Sequence, residues 1–302
     1  MSESLTVEIE APGISYLHGV VLVLMAGVFW STMGIGVRLI EVANVWQILF
    51  YRSIALAVFL YLIISFRSGH KPLQTIGKAG LAGGIALVVA FAGGIYAIQT
   101  TSVANAMFLF AAAPFMAALL GWILLRENVR KATWIAMIVA SIGIAIMVLD
   151  GISAGRLVGN LSAIASAFGF AVFTIALRWR KLEDMMPAVF MAGIFAIVIA
   201  ATVCLIKDFS FTIPAGDAAI AFALGVFQVG LGLTIFTIGS KVVPAAELAL
   251  LSMTEVLLGP FWVWLFLGET ADLYTLVGGG VLMLAIAGNA MSGLRRRPLP
   301  MI

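Results

Sequence analysis

Charge is scarce in this chain. Lys, Arg, Asp and Glu make up 10% of its 302 residues, against about a quarter in soluble globular proteins. That is too little polar surface for a fold of this size to meet water, which excludes a soluble globular class. Metal and thiol chemistry is also sparse, with one cysteine and two histidines, at positions 18 and 70. A disulfide framework and most multi-ligand metal sites are excluded, and no metal or cofactor is expected. Neither His-Glu-x-x-His nor Gly-x-x-x-x-Gly-Lys-Ser/Thr occurs. The motifs of a zinc protease and of an ATP-driven pump are therefore missing, and the chain is not expected to be an enzyme. A formal net charge of +3 is too weak to suggest nucleic acid as a partner.

Apolar residues are abundant: 63% of side chains are hydrophobic, with a mean hydropathy of +1.16. A helix needs about 20 apolar residues to cross a hydrocarbon core of roughly 30 Å. Ten runs meet that length, over 18–39, 45–66, 77–98, 103–125, 132–149, 158–178, 186–206, 217–239, 244–267 and 272–293. Such uninterrupted runs exclude the alternating pattern of an outer-membrane barrel. The expected fold is an all-α membrane protein with ten transmembrane helices embedded in a lipid bilayer. Residues 1–17 form a tail with Glu3, Glu8 and Glu10 but no Lys or Arg, unlike a secretory signal peptide. With that tail in the cytoplasm, the inner loops and helix ends collect Arg67, Lys71, Lys78, Arg126, Arg130, Lys131, Arg178, Arg180, Lys181, Lys241, Arg295, Arg296 and Arg297 of the 17 basic residues. Arg38, Arg52, Arg156 and Lys207 remain on the outer side, so both termini are expected in the cytoplasm of a bacterial-type inner membrane. The basic tail 294–302 reads as an anchor at anionic lipid.

Aligned against itself with a shift of 142, the chain places Ala104, Trp122, Leu125 and Glu127 on Ala246, Trp264, Leu267 and Glu269. A shift of 140 places Gly19 and Arg38 on Gly159 and Arg178. The chain thus divides into two homologous five-helix halves, 18–150 and 151–293, which meet near Asp150 to Gly155. Five is odd, so the second half must cross the membrane in the opposite sense. Inverted repeats of this kind underlie alternating access in secondary transporters.

Trp30-Ser31-Thr32, Tyr51-Arg52, Pro114 with Leu125-Arg126-Glu127, and Thr254-Glu255 with Leu267-Gly268-Glu269 resemble the drug/metabolite transporter superfamily, EamA type. The resemblance spans the chain after its N-terminal tail. It implies a ten-helix exporter of amino acids, other small metabolites or drugs. The chain departs from the family pattern at Val256, where a proline often follows the glutamate; Pro260 lies one turn further on.

Glu255 is the costliest residue to place. It stands 11 residues beyond Pro244, about 17 Å at 1.5 Å per residue, close to mid-bilayer, where a charge costs roughly 2.5–3.5 kcal/mol on the insertion scale. It is either a cavity-facing carboxylate that binds a cationic group or exchanges a proton, or a buried carboxyl hydrogen-bonded to backbone or Ser/Thr that locks helix 9. Arg52, some seven residues into helix 2, either meets an anionic group or snorkels or pairs with Glu41. Arg38 and Glu41 have i, i+3 spacing, which suits a local pair. Gly27, Ser31, Gly34 and Arg38 share one face of helix 1 beside Trp30, and Gly225, Gln228, Gly232 and Phe236 share one face of helix 8. Small residues there serve close packing or make room for a ligand. Asn105 and Ser252 add polar groups in helices 4 and 9. Tyr96, Phe108, Phe110, Phe170 and Phe173 could form an apolar wall.

Glu255, Arg52, Trp30, Ser31, Gln228, Asn105, Tyr96 and Ser252 are therefore the candidate substrate or coupling residues. One central carboxylate, few other charges and many aromatics suit a small zwitterion better than a polyanion, which would call for several inward Lys or Arg. The expected function is secondary transport of a small metabolite by a monomer or homodimer, with proton coupling left open. A lipid translocase or another non-transport intramembrane protein is the alternative.

Overall fold

The computed structural model describes residues 14–68, 77–153, 155–179 and 185–294. The acidic tail, His70 and Arg295 to Arg297 lie outside the described residues. Ten helices are present: α1 Tyr16–Arg38, α2 Val45–Ser68, α3 Gly77–Thr100, α4 Val103–Leu125, α5 Lys131–Ser153, α6 Leu157–Trp179, α7 Met186–Ile206, α8 Ala215–Gly239, α9 Ala245–Leu267 and α10 Leu273–Leu294. Each is long and apolar enough to cross a membrane, and no strand occurs among the described residues. The expected spans agree with them to within a few residues, because hydropathy decides where a chain can enter lipid.

Two helices depart from regular geometry. α4 breaks into Val103–Phe110 and Ala113–Leu125. Pro114 opens the second piece; it has no N–H to give the carbonyl one turn back, which ends the first run of bonds. α8 carries a π-helical stretch, Leu224–Leu231. The wider turn shifts the residues beyond it around the helix axis relative to a regular α-helix, so the expected single face of α8 is divided. Gly225 lies against the Arg52 carbonyl of α2, whereas Gly232 and Phe236 face Trp30 of α1.

Packing repeats when each helix is exchanged for the one five places along. α3 packs on α6 as α8 packs on α1, α4 on α6 as α9 on α1, and α3 on α7 as α8 on α2; α2–α7 and α5–α10 map onto themselves. This is the neighbour pattern of two inverted five-helix repeats. Close approach at these seams depends on glycine. On the α5–α10 seam, a Cβ at Gly278 would come within 2.6 Å of the Gly143 carbonyl; on the α3–α6 seam, one at Gly169 would come equally near that of Ala86.

The helix ends repeat as well. Arg126 and Gly268 both adopt left-handed φ, 55° and 68°, after α4 and α9. The Glu127 N–H then bonds the Gly121 carbonyl (3.1 Å), and the Glu269 N–H bonds that of Val263 (3.2 Å). Both are six-residue closures, and they aim the two glutamates in equivalent directions. Each glutamate meets the arginine that ends the homologous helix of the other half. Arg38 Nε donates to Glu269 (2.8 Å), and Arg178 Nη2 donates to Glu127 (2.6 Å). The local Arg38–Glu41 pair expected from spacing is therefore replaced by a contact between α1 and the end of α9. The Glu41 N–H itself is taken by Asp217 at the start of α8, whose carboxylate also accepts from Val42 and Ala43 (2.9 Å each).

Candidate functional site

Glu255 sits in the middle of α9, where α1 presents Gly27. A Cβ at Gly27 would lie 3.3 Å from Thr254 Cβ and 3.6 Å from the Glu255 N, so a glycine lets α1 approach the carboxylate-bearing turn. Among the described residues Glu255 has neither an ion-pair nor a hydrogen-bond partner. The backbone or hydroxyl bond that would make it a lock is absent there. The side chain is half-buried, as is every described side chain from Glu247 to Glu255, Ser252 included. A packed amphipathic helix would alternate between buried and exposed positions; this stretch is instead partly accessible at every position.

Arg52 is 2% exposed on α2. Its guanidinium lies over the Phe91 ring of α3, 4.5 Å from the centroid, and its Nε has no hydrogen-bond partner. It neither snorkels nor pairs with Glu41. The ring face offers partial compensation for a desolvated cation, and no carboxylate supplies the rest among the described residues. On α8, Gln228 is also buried, with Oε1 unpartnered. Trp30 lies 5.0 Å from Phe236 with the rings tilted by 44°, beside Gly232, where a Cβ would come within 2.6 Å of Nε1. Glu255, Arg52, Gln228 and Trp30 stand on four helices, α9, α2, α8 and α1, of which α8 packs on both α1 and α2, and α1 on α9.

The other candidates are differently placed. Ser31 is fully buried; its hydroxyl donates to the Val28 carbonyl (2.7 Å) and accepts from Trp262 Nε1 (2.9 Å). With Gly34 against Val103, the small-residue stripe of α1 is a packing seam in this structure. Asn105 Nδ2 donates to Asn160 and to Thr101 Oγ1 (3.1 Å), and Asn160 reaches the Met147 carbonyl (3.3 Å), which ties the α3–α4 junction to α4, α5 and α6. Tyr96 and Phe170 are exposed on the bundle, whereas Phe108 and Phe173 are buried against Gly279 and Gly83. The aromatics do not share one wall, because their helices turn them to different neighbours. Asp217, Asn160 and Trp262 were not singled out from sequence. Asp217 carried the one available signal, a carboxylate in the first turn of a membrane helix.

The EamA-like transporter family model matches residues 17–149 and again 157–291. The pseudopaline exporter CntI of Pseudomonas aeruginosa is 24% identical over 280 residues, covering 88% of this chain and 94% of that protein. An uncharacterized transporter of Helicobacter pylori is 25% identical over 280 residues, covering 88% and 92%. A crystal structure superposes with a TM-score of 0.65 at 17% identity, over 93% of this chain and 99% of the other; it shares the fold.

Proposed function

The chain belongs to the EamA-like transporter family, and from that premise we propose that it exports a small zwitterionic metabolite, such as an amino acid or a related amphipathic compound, by alternating access. The observation that carries this reading is Glu255, a carboxylate in the middle of α9 with no ion-pair or hydrogen-bond partner among the described residues, on a stretch that is partly accessible at every position. Arg52 is its chemical opposite, a buried cation with no carboxylate partner among the described residues. A ligand with an ammonium at one end and a carboxylate at the other would satisfy both, and Trp30 and Phe236 offer apolar surface between the helices that carry them. Lys78, Arg126, Arg130, Lys131, Arg178 and Lys241 lie at the end of the bundle where α9 begins. The positive-inside rule assigns that end to the cytoplasm of the inner membrane, so the partly accessible first half of α9 lies toward the compartment from which an exporter loads. The direction also follows the relative named as an exporter.

Uptake of radiolabelled amino acids into inside-out vesicles, with and without a proton gradient, tests the reading. Saturable uptake, competed by other zwitterions and not by polyanions, is expected. Uptake of polyanions alone, or none above empty vesicles for any zwitterion, overturns it. Orientation has its own check in a Cys204→Ala background. A cysteine at Ala215 is expected to react with impermeant maleimide added to intact cells, and one at Asn128 to be protected; the reverse pattern inverts the topology.

A further inference from the structure

The two ends of the bundle carry the same ion pair in different degrees of completion. At one end Glu269 joins three elements. Its carboxylate takes Nε and Nη2 of Arg38 (2.8 and 3.2 Å) and the N–H of Val103, the first residue of α4 (2.7 Å), while Arg38 Nη2 also donates to the Thr101 carbonyl (2.7 Å). These side chains are 26% and 23% exposed. Behind them Val103 to Leu109 are all buried, so this end is sealed.

At the opposite end, Glu127 takes Arg178 Nη2 (2.6 Å) and no other partner among the described residues, and the side chains are 35% and 47% exposed. The shift that maps Glu269 onto Glu127 maps Val103 onto Ala245 and Thr101 onto Val243. Ala245 opens α9, whose N-cap Pro244 gives no side-chain cap, whereas α4 has Ser102 accepting from Asn105 as well as Glu269. The Glu247 N–H bonds the Pro244 carbonyl (3.0 Å); the first two N–H groups of a helix have no carbonyl to meet within it and sit at the positive end of its dipole. The stretch behind them is the half-buried run from Glu247 to Glu255.

We propose that Glu127 and Arg178 form the latch of this second end. When the end closes, Glu127 accepts the N–H of Ala245 and Arg178 donates to the carbonyl of Val243, as Glu269 and Arg38 hold Val103 and Thr101 now. The complete latches, with their backbone bonds, are made in alternation, because alternating access opens the site to one side at a time. The inference rests on the alternating-access reading and adds to it the groups that hold each end shut.

The test uses a single cysteine at Leu248, half-buried on the first turns of α9, in purified full-length Cys204→Ala protein labelled with maleimide. Gly34 lies directly against Val103 in the sealed end, so Gly34→Val wedges that end apart and is expected to slow labelling at 248 by closing the other. Adding Glu127→Gln should then restore labelling by about tenfold, the population shift that loss of one charge-assisted hydrogen bond allows. The charge exchange Glu127→Arg with Arg178→Glu should restore it as well, because arginine cannot accept the Ala245 N–H. If the exchanged pair keeps labelling slow, charge attraction alone suffices and the latch is wrong. If Glu127→Gln leaves the wedged protein slow, the latch is also wrong while alternation stands. Should the wedge leave labelling unchanged, alternation itself fails and the latch with it. Glu269→Gln supplies a second way to release the sealed end if Gly34→Val does not fold.

Discussion

α4 and α9 are two copies of one helix, and they differ where it matters for transport. Both end in a left-handed cap, both present a glutamate beyond it, and both glutamates meet an arginine from the other half. In the middle they part. α4 has Ala113 and Pro114 where α9 has Glu255 and Val256, so α4 breaks and carries no charge, whereas α9 runs on unbroken through Val256 and Pro260 with a carboxylate at mid-membrane. Their first halves differ too, buried in α4 and half-buried in α9. A duplicated fold supplies two equivalent frameworks; on the proposed reading, the carboxylate that only α9 carries gives one of them a ligand to hold. The symmetric features are thus the ones expected to bear on stability and gating, and the asymmetric one to bear on recognition.

The largest expected effect breaks that asymmetry. Glu255→Gln keeps the shape but removes the charge, and is predicted to fold normally while transport falls by more than about tenfold, as for a group that acts on bound substrate. Glu255→Asp should retain part of the activity. Transport in reconstituted vesicles beside thermal melting decides the matter. Near-normal transport by the Gln variant moves the centre of recognition to Arg52, Gln228 and Trp30. Moving the carboxylate to the other copy with Ala113→Glu in the Glu255→Ala protein should not rescue transport. Ala113 is buried at a helix break, and a charge there costs roughly 2.5–3.5 kcal/mol.

A middle-sized effect separates the two ion pairs. Glu269→Gln strands the Arg38 guanidinium and weakens the hold on Val103, and is predicted to cost about 2–3 kcal/mol. Glu127→Gln disrupts a more exposed single contact and should stay within about 1 kcal/mol. Melting of the two purified variants under one condition compares them directly; equal losses would mean that the ends are held alike.

Much of this architecture could be read before any coordinates, for a physical reason. Lipid permits only spans that satisfy their own backbone, so hydropathy placed ten helices, and the recurrence of Leu-x-Glu after helices 4 and 9 exposed the duplication. What escaped was geometry that depends on partners far along the chain. The i, i+3 spacing of Arg38 and Glu41 suits a local pair, yet the partner of Arg38 is Glu269, 231 residues away; the repeat itself holds the clue, since Arg38 maps onto Arg178 and Glu269 onto Glu127. The π turn in α8 has no periodic signature, and regular 3.6-residue spacing therefore merged Gly225 with Gly232 on one face. Ser31 and Asn105 were legible as polar groups in helices, but whether such a group faces a ligand or a neighbour depends on Trp262 and Asn160, which only the packing brings to them. Glu255 was the reverse case. Its cost in lipid singled it out, and the structure places it where no protein group among the described residues repays that cost.

The smallest expected effect concerns the two caps. Gly268 holds φ of 68° with nothing within 4 Å of a Cβ built on it, so Gly268→Ala meets no clash and its cost is conformational. A left-handed backbone disfavours a side-chain-bearing residue by about 1–2 kcal/mol, offset in part by the smaller entropy of the unfolded chain, and a net loss of about 1 kcal/mol is expected. Arg126 already bears that strain in the other copy, at φ of 55° with an exposed side chain. Arg126→Gly relieves it but loosens the unfolded state, and the two contributions should leave a gain of under about 1 kcal/mol. Opposite shifts in melting temperature, downward at 268 and upward or flat at 126, would show that the caps are equivalent frameworks differing in one residue. A stabilised Gly268→Ala protein would mean instead that the cap after α9 relaxes out of the left-handed region, and that the two glutamates are aimed by different means.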